Sequence, residues 1–191
     1  MGTLFAIMGK SGVGKTTLVK RLISLLKIKK VTSVTSRPMR KGEVEGVDYY
    51  FKTKQEILNL ENSGKLLEFN VYHNNYYGIE KEELKGKEDK LIIVDPNGYR
   101  ILSREYRGDV VPIYIYTTDK IRKERLLTRV KDENREADMK QIELRFLKDN
   151  LLFEGIEKNN RIHKVNNSYN LLSAVHEVHT LMQTYSKKYR N

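Results

Sequence analysis

The sequence contains no cysteine. That excludes disulfides and thiolate metal sites and permits a cytosolic setting. No run of eighteen apolar residues occurs, so no transmembrane helix is expected. The opening stretch puts no basic region ahead of its short apolar run, and the glycines from Gly9 to Gly14 cut that run short. A secretory signal is therefore not expected. The first residues, Met1-Gly2-Thr3-Leu4-Phe5-Ala6, also lack the Ser or Thr of a myristoylation signal. Internal repeats and low-complexity segments are absent. Lysines are spread along the whole chain, where a nucleic-acid surface would gather them into a stripe with aromatics. The expectation is a cytoplasmic protein that engages neither nucleic acid nor membrane, as a monomer or homodimer.

What is present suits one domain of ordinary size. The chain has 191 residues, 39% apolar and 32% charged, which provides both a core and a soluble surface. Its formal net charge of +11 favours phosphate-bearing ligands.

Thr3 to Met8 reads as a short buried strand, and Gly9-Lys10-Ser11-Gly12-Val13-Gly14 comes directly after it. From Lys15 to Lys27, Leu18, Leu22, Ile23, Leu25 and Leu26 recur at helical spacing. Residues 31–86 have a different texture, with glycine punctuation, many tyrosines and one helix near Lys54 to Ser63, and read as an inserted β-rich unit. The central fold resumes with a strand at Lys90 to Asp95. Pro96 and Asn97 precede a helix to Tyr106, and Val110 to Tyr116 is another strand. Thr118-Asp119 caps a helix to Arg129. Lys131 to Lys140, dense in both charge signs, reads as a mobile lid. A helix to Lys158, a strand at Arg161 to Val165 and a helix at Leu171 to Tyr185 complete the chain. Strands alternating with helices imply an α/β fold with a parallel sheet covered on both faces.

The strongest chemical signal is Gly9 to Thr16, which fits G-x-x-x-x-G-K-S/T at every fixed position, after a strand and opening a helix. Glycines let the backbone wrap a phosphate chain, with N–H groups pointing inward. The helix N-terminus adds favourable potential for anions. Lys15 is placed to reach the β- and γ-phosphates of a nucleotide, and Thr16 to hold Mg²⁺. Gly9, Ser11, Gly12, Val13, Gly14, Lys15, Thr16 and Thr17 are the candidate cofactor-binding residues. The loop alone says only that a nucleotide is bound.

The next informative stretch runs from Ser33 to Tyr49. Arg37 and Arg40 lie three apart, with Tyr49 after a glycine turn, and make a clamp suited to a monophosphate. This run closely resembles the guanylate kinase signature T-T-R-x-P-R-x-G-E-V-x-G-x-D-Y-x-F, with the proline displaced by one position and Ser36 in place of a threonine. Leu66-Leu67-Glu68 and Asn75-Tyr76-Tyr77-Gly78 resemble two further family elements. Asp95-Pro96-Asn97-Gly98 stands where the family has D-x-D-x-Q-G. Arg125 with Arg129, then Arg145, are similar to the arginines around the family's lid. Asn166 resembles the late asparagine near the adenine site. The resemblance spans nearly the whole chain, in order.

It implies a P-loop NTPase three-layer fold with an inserted NMP-binding subdomain and a lid. The core would be 1–32, 87–129 and 141–191, the NMP-binding subdomain 33–86 and the lid 130–140. It implies transfer of a phosphoryl group from ATP to GMP or dGMP. Arg37, Arg40, Tyr49, Tyr77 and Gly78 would form the acceptor site, and Ser33, Glu68 and Asp95 would read the guanine. Lys15, Arg37, Arg129 and Arg145 would be catalytic, with Arg125 and Arg135 also placed at the lid. Thr16 and Asp95 would serve the metal, and Asn166 the adenine.

Three departures bear on the acceptor. Ile79 stands where the family usually has a Ser or Thr facing the guanine oxygen. Ile93 replaces the first aspartate of D-x-D, leaving Asp95 to serve either base or metal. The stretch between Arg129 and Arg145 is a few residues longer than the family lid. A relative acting on another nucleotide or a sugar phosphate such as ribose 1,5-bisphosphate, and a non-catalytic guanylate-kinase-like binding module, are the alternative readings. The four histidines, His73, His163, His176 and His179, show no ligand pattern.

Overall fold

The structure is a computed structural model describing residues 1–72, 74–132 and 139–186. Two sheets organise it. The first contains β1 (Leu4–Met8), β2 (Lys29–Lys30), β7 (Lys90–Ile93), β8 (Val110–Tyr116) and β9 (His163–Asn166), in the order β2-β7-β1-β8-β9. All its pairings are parallel. The second has the order β4-β3-β6-β5 and is built from β3 (Val34–Thr35), β4 (Tyr50–Phe51), β5 (Leu66–Tyr72) and β6 (Asn75–Glu80). In the chain it lies wholly between β2 and β7.

Alternation along β1 explains the layers. Phe5 and Ile7 pack with Leu18, Val19 and Leu22 of α1 (Lys15–Leu26) and with Ala174, Val175 and Val178 of α6 (Leu171–Tyr185). Leu4, Ala6 and Met8 pack on the opposite face with Leu102 and Tyr106, at the end of α3 (Pro96–Glu105), and with Phe153 and Ile156. Successive strand side chains point to opposite faces, so a strand buried on both sides reads as a continuous apolar run. This is the three-layer α/β architecture the sequence predicts. Among the described residues no helix is long and apolar enough to cross a membrane.

Local chemistry sets the helix starts. Thr53 and Glu56 form a reciprocal capping box at α2 (Lys54–Asn62). Asp95 caps α3 through the Gly98 N–H, and Pro96 is the first helical residue, where its fixed φ is accommodated and its missing N–H costs nothing. The helix therefore begins at Pro96 and not after Asn97. The helices around the expected lid also differ from the sequence reading. α4 (Asp119–Asp132) runs into it from one side and α5 (Met139–Leu152) leaves it from the other. The expected helix to Lys158 stops at Leu152, because Gly155 turns the chain at φ 79 and brings Phe153 and Ile156 into the core.

Candidate functional site

The phosphate loop leaves the C-terminal end of the central strand β1 and opens α1. Ligands of open α/β sheets bind at that end. Gly12 and Gly14 have φ of 83° and 94°, in the left-handed region that favours glycine. Both are also crowded: a Cβ on Gly12 would meet the Arg122 carbonyl oxygen at 2.7 Å, and one on Gly14 would meet Asn167 Nδ2 at 2.6 Å. The Lys15 ammonium donates to the Gly9 carbonyl at 2.5 Å and to that of Lys10 at 3.2 Å. Burial pushes its pKa down to about 8, with Arg129 and Arg122 adding to the fall and Asp149 and Asp95 opposing it. Thr16 and Thr17 are exposed in the first turn of α1.

A cleft of about 760 Å³ joins this loop to the second sheet. Gly9, Ser11, Gly12, Gly14, Lys15, Thr16 and Thr17 line one side. Ser33, Arg37, Arg40, Tyr49, Glu68, Tyr77, Gly78 and Asp95 line the rest, with Arg129 and Arg145 from the helices around residues 133–138. The structure thus brings most of the sequence-predicted site residues to a single cavity.

Arg37 is held from several directions. Its Nη2 donates to Glu43 Oε1 at 2.8 Å and its Nη1 to the Pro38 carbonyl at 2.6 Å. The guanidinium lies 5.4 Å from the Tyr49 ring centre, and Tyr49 meets Tyr77 edge-on at 6.2 Å. Glu43 Oε2 also accepts from the Arg40 N–H at 2.8 Å. Burial alone would raise the Glu43 carboxyl, but the Arg37 and Arg40 hydrogen bonds outweigh it and hold it below its usual range. Glu43 is thus a positioning residue, one that its place in the signature motif does not by itself reveal.

Glu68 is 9% exposed, and burial followed by the neighbouring Asp95 charge raises its pKa to about 7. Asp95 Oδ1 accepts from the Gly98 N–H at 2.8 Å and Oδ2 from Asn70 Nδ2 at 2.7 Å. Gly98 leaves room for the neighbouring carboxylate: a Cβ there would lie 2.8 Å from Glu68 Oε1. If Glu68 reads the guanine as the family resemblance implies, Gly98→Ala is expected to displace its carboxylate and raise the KM for GMP about tenfold, the loss of roughly one charged hydrogen bond. Steady-state kinetics with each substrate varied checks this. The ATP KM should not move, because Gly98 is remote from the loop in the chain and does not line the cleft.

Not every expected residue lines the cleft. Val13 does not line the cleft: its side chain is 1% exposed in the core, and its carbonyl accepts from Arg125 and Asn167. Arg125 is likewise turned to the loop backbone, with Nη1 on the Val13 carbonyl and Nη2 on that of Asn167, both at 3.1 Å. Asn166 is exposed and accepts from the Ser168 N–H, away from the cleft. Asn167 is the residue that meets the loop, its Nδ2 donating to the Val13 carbonyl at 2.8 Å. Strand alternation from buried Val165 puts Asn167 on the same inward face. Ile79 is 1% exposed in the core, whereas Ile93 lines the cleft. Arg135 and His73 lie outside the described residues. His163 lies against the Tyr185 ring, while His176 and His179 are on α6. Asp149, Asn70 and Tyr72 also line the cleft, although no sequence motif marks them. No group of three or more metal-ligating side chains occurs among the described residues.

Comparison with known proteins agrees with this geometry. The family model described as guanylate kinase matches residues 1–177. A guanylate kinase of Helicobacter hepaticus is 36% identical over 153 residues, 76% of this chain and 74% of that protein. One from Mycoplasma pneumoniae is 38% identical over 141 residues, 71% of this chain but only 58% of that protein. The crystal structure of guanylate kinase from Anaplasma phagocytophilum superposes with a TM-score of 0.71 at 23% identity, covering 99% of this chain and 92% of that one, which shows the shared fold. The chain belongs to the guanylate kinase family of phosphotransferases.

Proposed function

We propose that this chain transfers the γ-phosphoryl group of ATP to GMP or dGMP, giving ADP and GDP or dGDP. The observation that carries the reading is one cleft with a phosphate loop on one side and, across it, Arg37, Arg40, Tyr49 and Tyr77 beside the Glu68 carboxylate. Residues 33–86 then act as the monophosphate-binding subdomain and 130–140 as a lid. Lys15 and the loop N–H groups hold the donor phosphates. Arg37 and Arg40 hold the acceptor phosphate, and Tyr49 and Tyr77 pack around it. An acceptor phosphate oxygen attacks the γ-phosphorus, the bond to the β–γ bridging oxygen breaks, and ADP leaves. Arg129 and Arg145 offset the charge that spreads over the transferring group. Glu68 accepts from the guanine N1–H and amino group, Asp95 assists at the amino group, and Ser33 donates to the guanine oxygen.

Mg²⁺ fits at Thr16, whose residue is exposed in the cleft. Asp95, whose two oxygens already accept from the Gly98 N–H and Asn70 Nδ2, is assigned here to the guanine, so Thr16 is the side chain that would hold the ion. When bound, the ion neutralises charge on the β- and γ-phosphates.

A coupled ADP-release assay across the common ribo- and deoxyribonucleoside monophosphates and ribose 1,5-bisphosphate tests the reading. GMP and dGMP are expected to give the highest kcat/KM. Preference for the sugar phosphate or another base would replace the acceptor, and no turnover with any acceptor would leave a binding module.

A further inference from the structure

Arg122 and Asp149 form a buried ion pair between α4 and α5, the helices on either side of residues 133–138. Arg122 is 1% exposed and Asp149 is 3% exposed. Arg122 Nη2 donates to Asp149 Oδ2 at 2.7 Å, and Nη1 donates to Asp119 Oδ1 at 2.6 Å. The ring of Phe146, on α5, lies 4.1 Å from the guanidinium carbon.

The pair also grips the phosphate loop. Arg122 Nε donates to the Ser11 carbonyl at 2.9 Å, while Asp149 Oδ2 accepts from the Ser11 N–H at 2.8 Å. The Ser11 hydroxyl donates to Asp149 Oδ1 at 3.4 Å, and Tyr72 of β5 hydrogen-bonds to the same serine side chain. The preceding loop residue is tied down similarly, Lys10 Nζ meeting Asn150 Oδ1 at 3.0 Å and Glu157 at 3.5 Å. Apolar side chains of similar volume would hold two helices together at least as well as a buried ion pair. They would not meet a carbonyl and an N–H of one loop residue with opposite polarity. The charges thus match a demand of the loop that helix packing alone does not make.

Helical geometry extends the link to the cleft. Arg129 lies two turns along α4 from Arg122, and Arg145 one turn before Asp149 on α5. Each therefore projects from the same helix face as its buried partner. Both of these outer arginines line the cleft.

We infer that the Arg122–Asp149 pair is a positioning device for phosphoryl transfer, fixing Ser11 and the donor loop in one frame with Arg129 and Arg145. The inference rests on the proposed kinase reading. Neither member of the pair touches the reacting atoms. Both act through Ser11 and through the spacing of the two helices, and a misplacement of about 1 Å at such a site costs up to about a hundredfold in rate.

The test uses the full chain with Asp149→Asn, which keeps an acceptor for Ser11 and removes the charge. Arg122→Lys, which keeps the charge and removes the Nε donor, is the second variant and carries the test if the first does not fold. Wild-type turnover of GMP with ATP is measured first, and its absence counts against the kinase reading alone. ADP affinity by calorimetry then judges the pair without turnover. Each variant is expected to lower kcat about tenfold or more, and to raise the ATP KM and the ADP Kd several-fold, with the GMP KM little changed. Folded variants with wild-type kcat, ATP KM and ADP Kd overturn the inference. So does a fall in thermal midpoint alone, which is the mark of a packing role.

Discussion

Lys15→Ala is expected to abolish turnover, with kcat falling about a thousandfold or more, while GMP still binds. The reason is where the ammonium sits. It is partly buried at the floor of the loop, held by the Gly9 and Lys10 carbonyls, and faces the cleft with the loop glycines. Charge developing between the β- and γ-phosphates would be met there by a fixed cation in a shielded site, where its effect exceeds that of the same cation in water. The acceptor side does not use Lys15, so calorimetric titration with GMP should give a wild-type affinity. Single-turnover kinetics separate loss of chemistry from loss of ATP binding. A variant that turns over at the wild-type rate would remove the loop from the reaction, and one that loses GMP binding would mean the substitution disturbs the whole cleft.

Glu68→Gln is expected to lower kcat/KM for GMP about a hundredfold or more, since two hydrogen bonds to a charged acceptor become one neutral bond and one donor–donor clash. The loss should fall on base preference, measured as the ratio of GMP to other monophosphates, and spare the phosphate grip of Arg37 and Arg40. A pH series sharpens it. The Glu68 carboxyl has its pKa raised to about 7, so in the free protein its ionised form is lost as pH falls through that value. In the proposed role, GMP binding needs the ionised form to accept both guanine N–H groups. Binding should therefore strengthen from pH 6 to 8 in the wild type by more than in Glu68→Gln, whose remaining dependence reports the titration of the ligand's own phosphate. Identical pH profiles, or an unchanged base preference, would take Glu68 out of base recognition. The sign for stability runs the other way: the raised pKa favours the protonated folded form, so this group's contribution is lost as pH rises through about 7.

Local signals carry much of the fold and the donor side of the cleft. The loop is contiguous, its glycines and lysine have fixed spacing, and the flanking strand and helix announce themselves by apolar pattern. The acceptor side is legible only through its likeness to a family, because Arg37, Glu68 and Asp95 are far apart in the chain and each alone is an ordinary charged residue. Arg122 and Asp149 are not legible at all. On the sequence they sit among the lysines and glutamates of two helices, and only the fold, which brings both helices to the phosphate loop, removes them from water. Of the neighbouring Asn166 and Asn167, the one turned inward to the loop is Asn167. The buried Val165 two residues earlier fixes which asparagine turns inward, so the alternation held the answer. The sequence pattern overruns the helix end at Leu152 because Phe153 and Ile156 continue the apolar series after the backbone has turned.

The clamping of β1 between two apolar layers has a mechanical consequence. A strand whose neighbours on both edges and both faces are occupied is poorly placed to shift without disrupting the whole sheet. Its outgoing end, where Gly9 begins, is accordingly the fixed anvil of the molecule. Under the proposed reaction, the nucleotide's phosphates would rest on a seat that stays still.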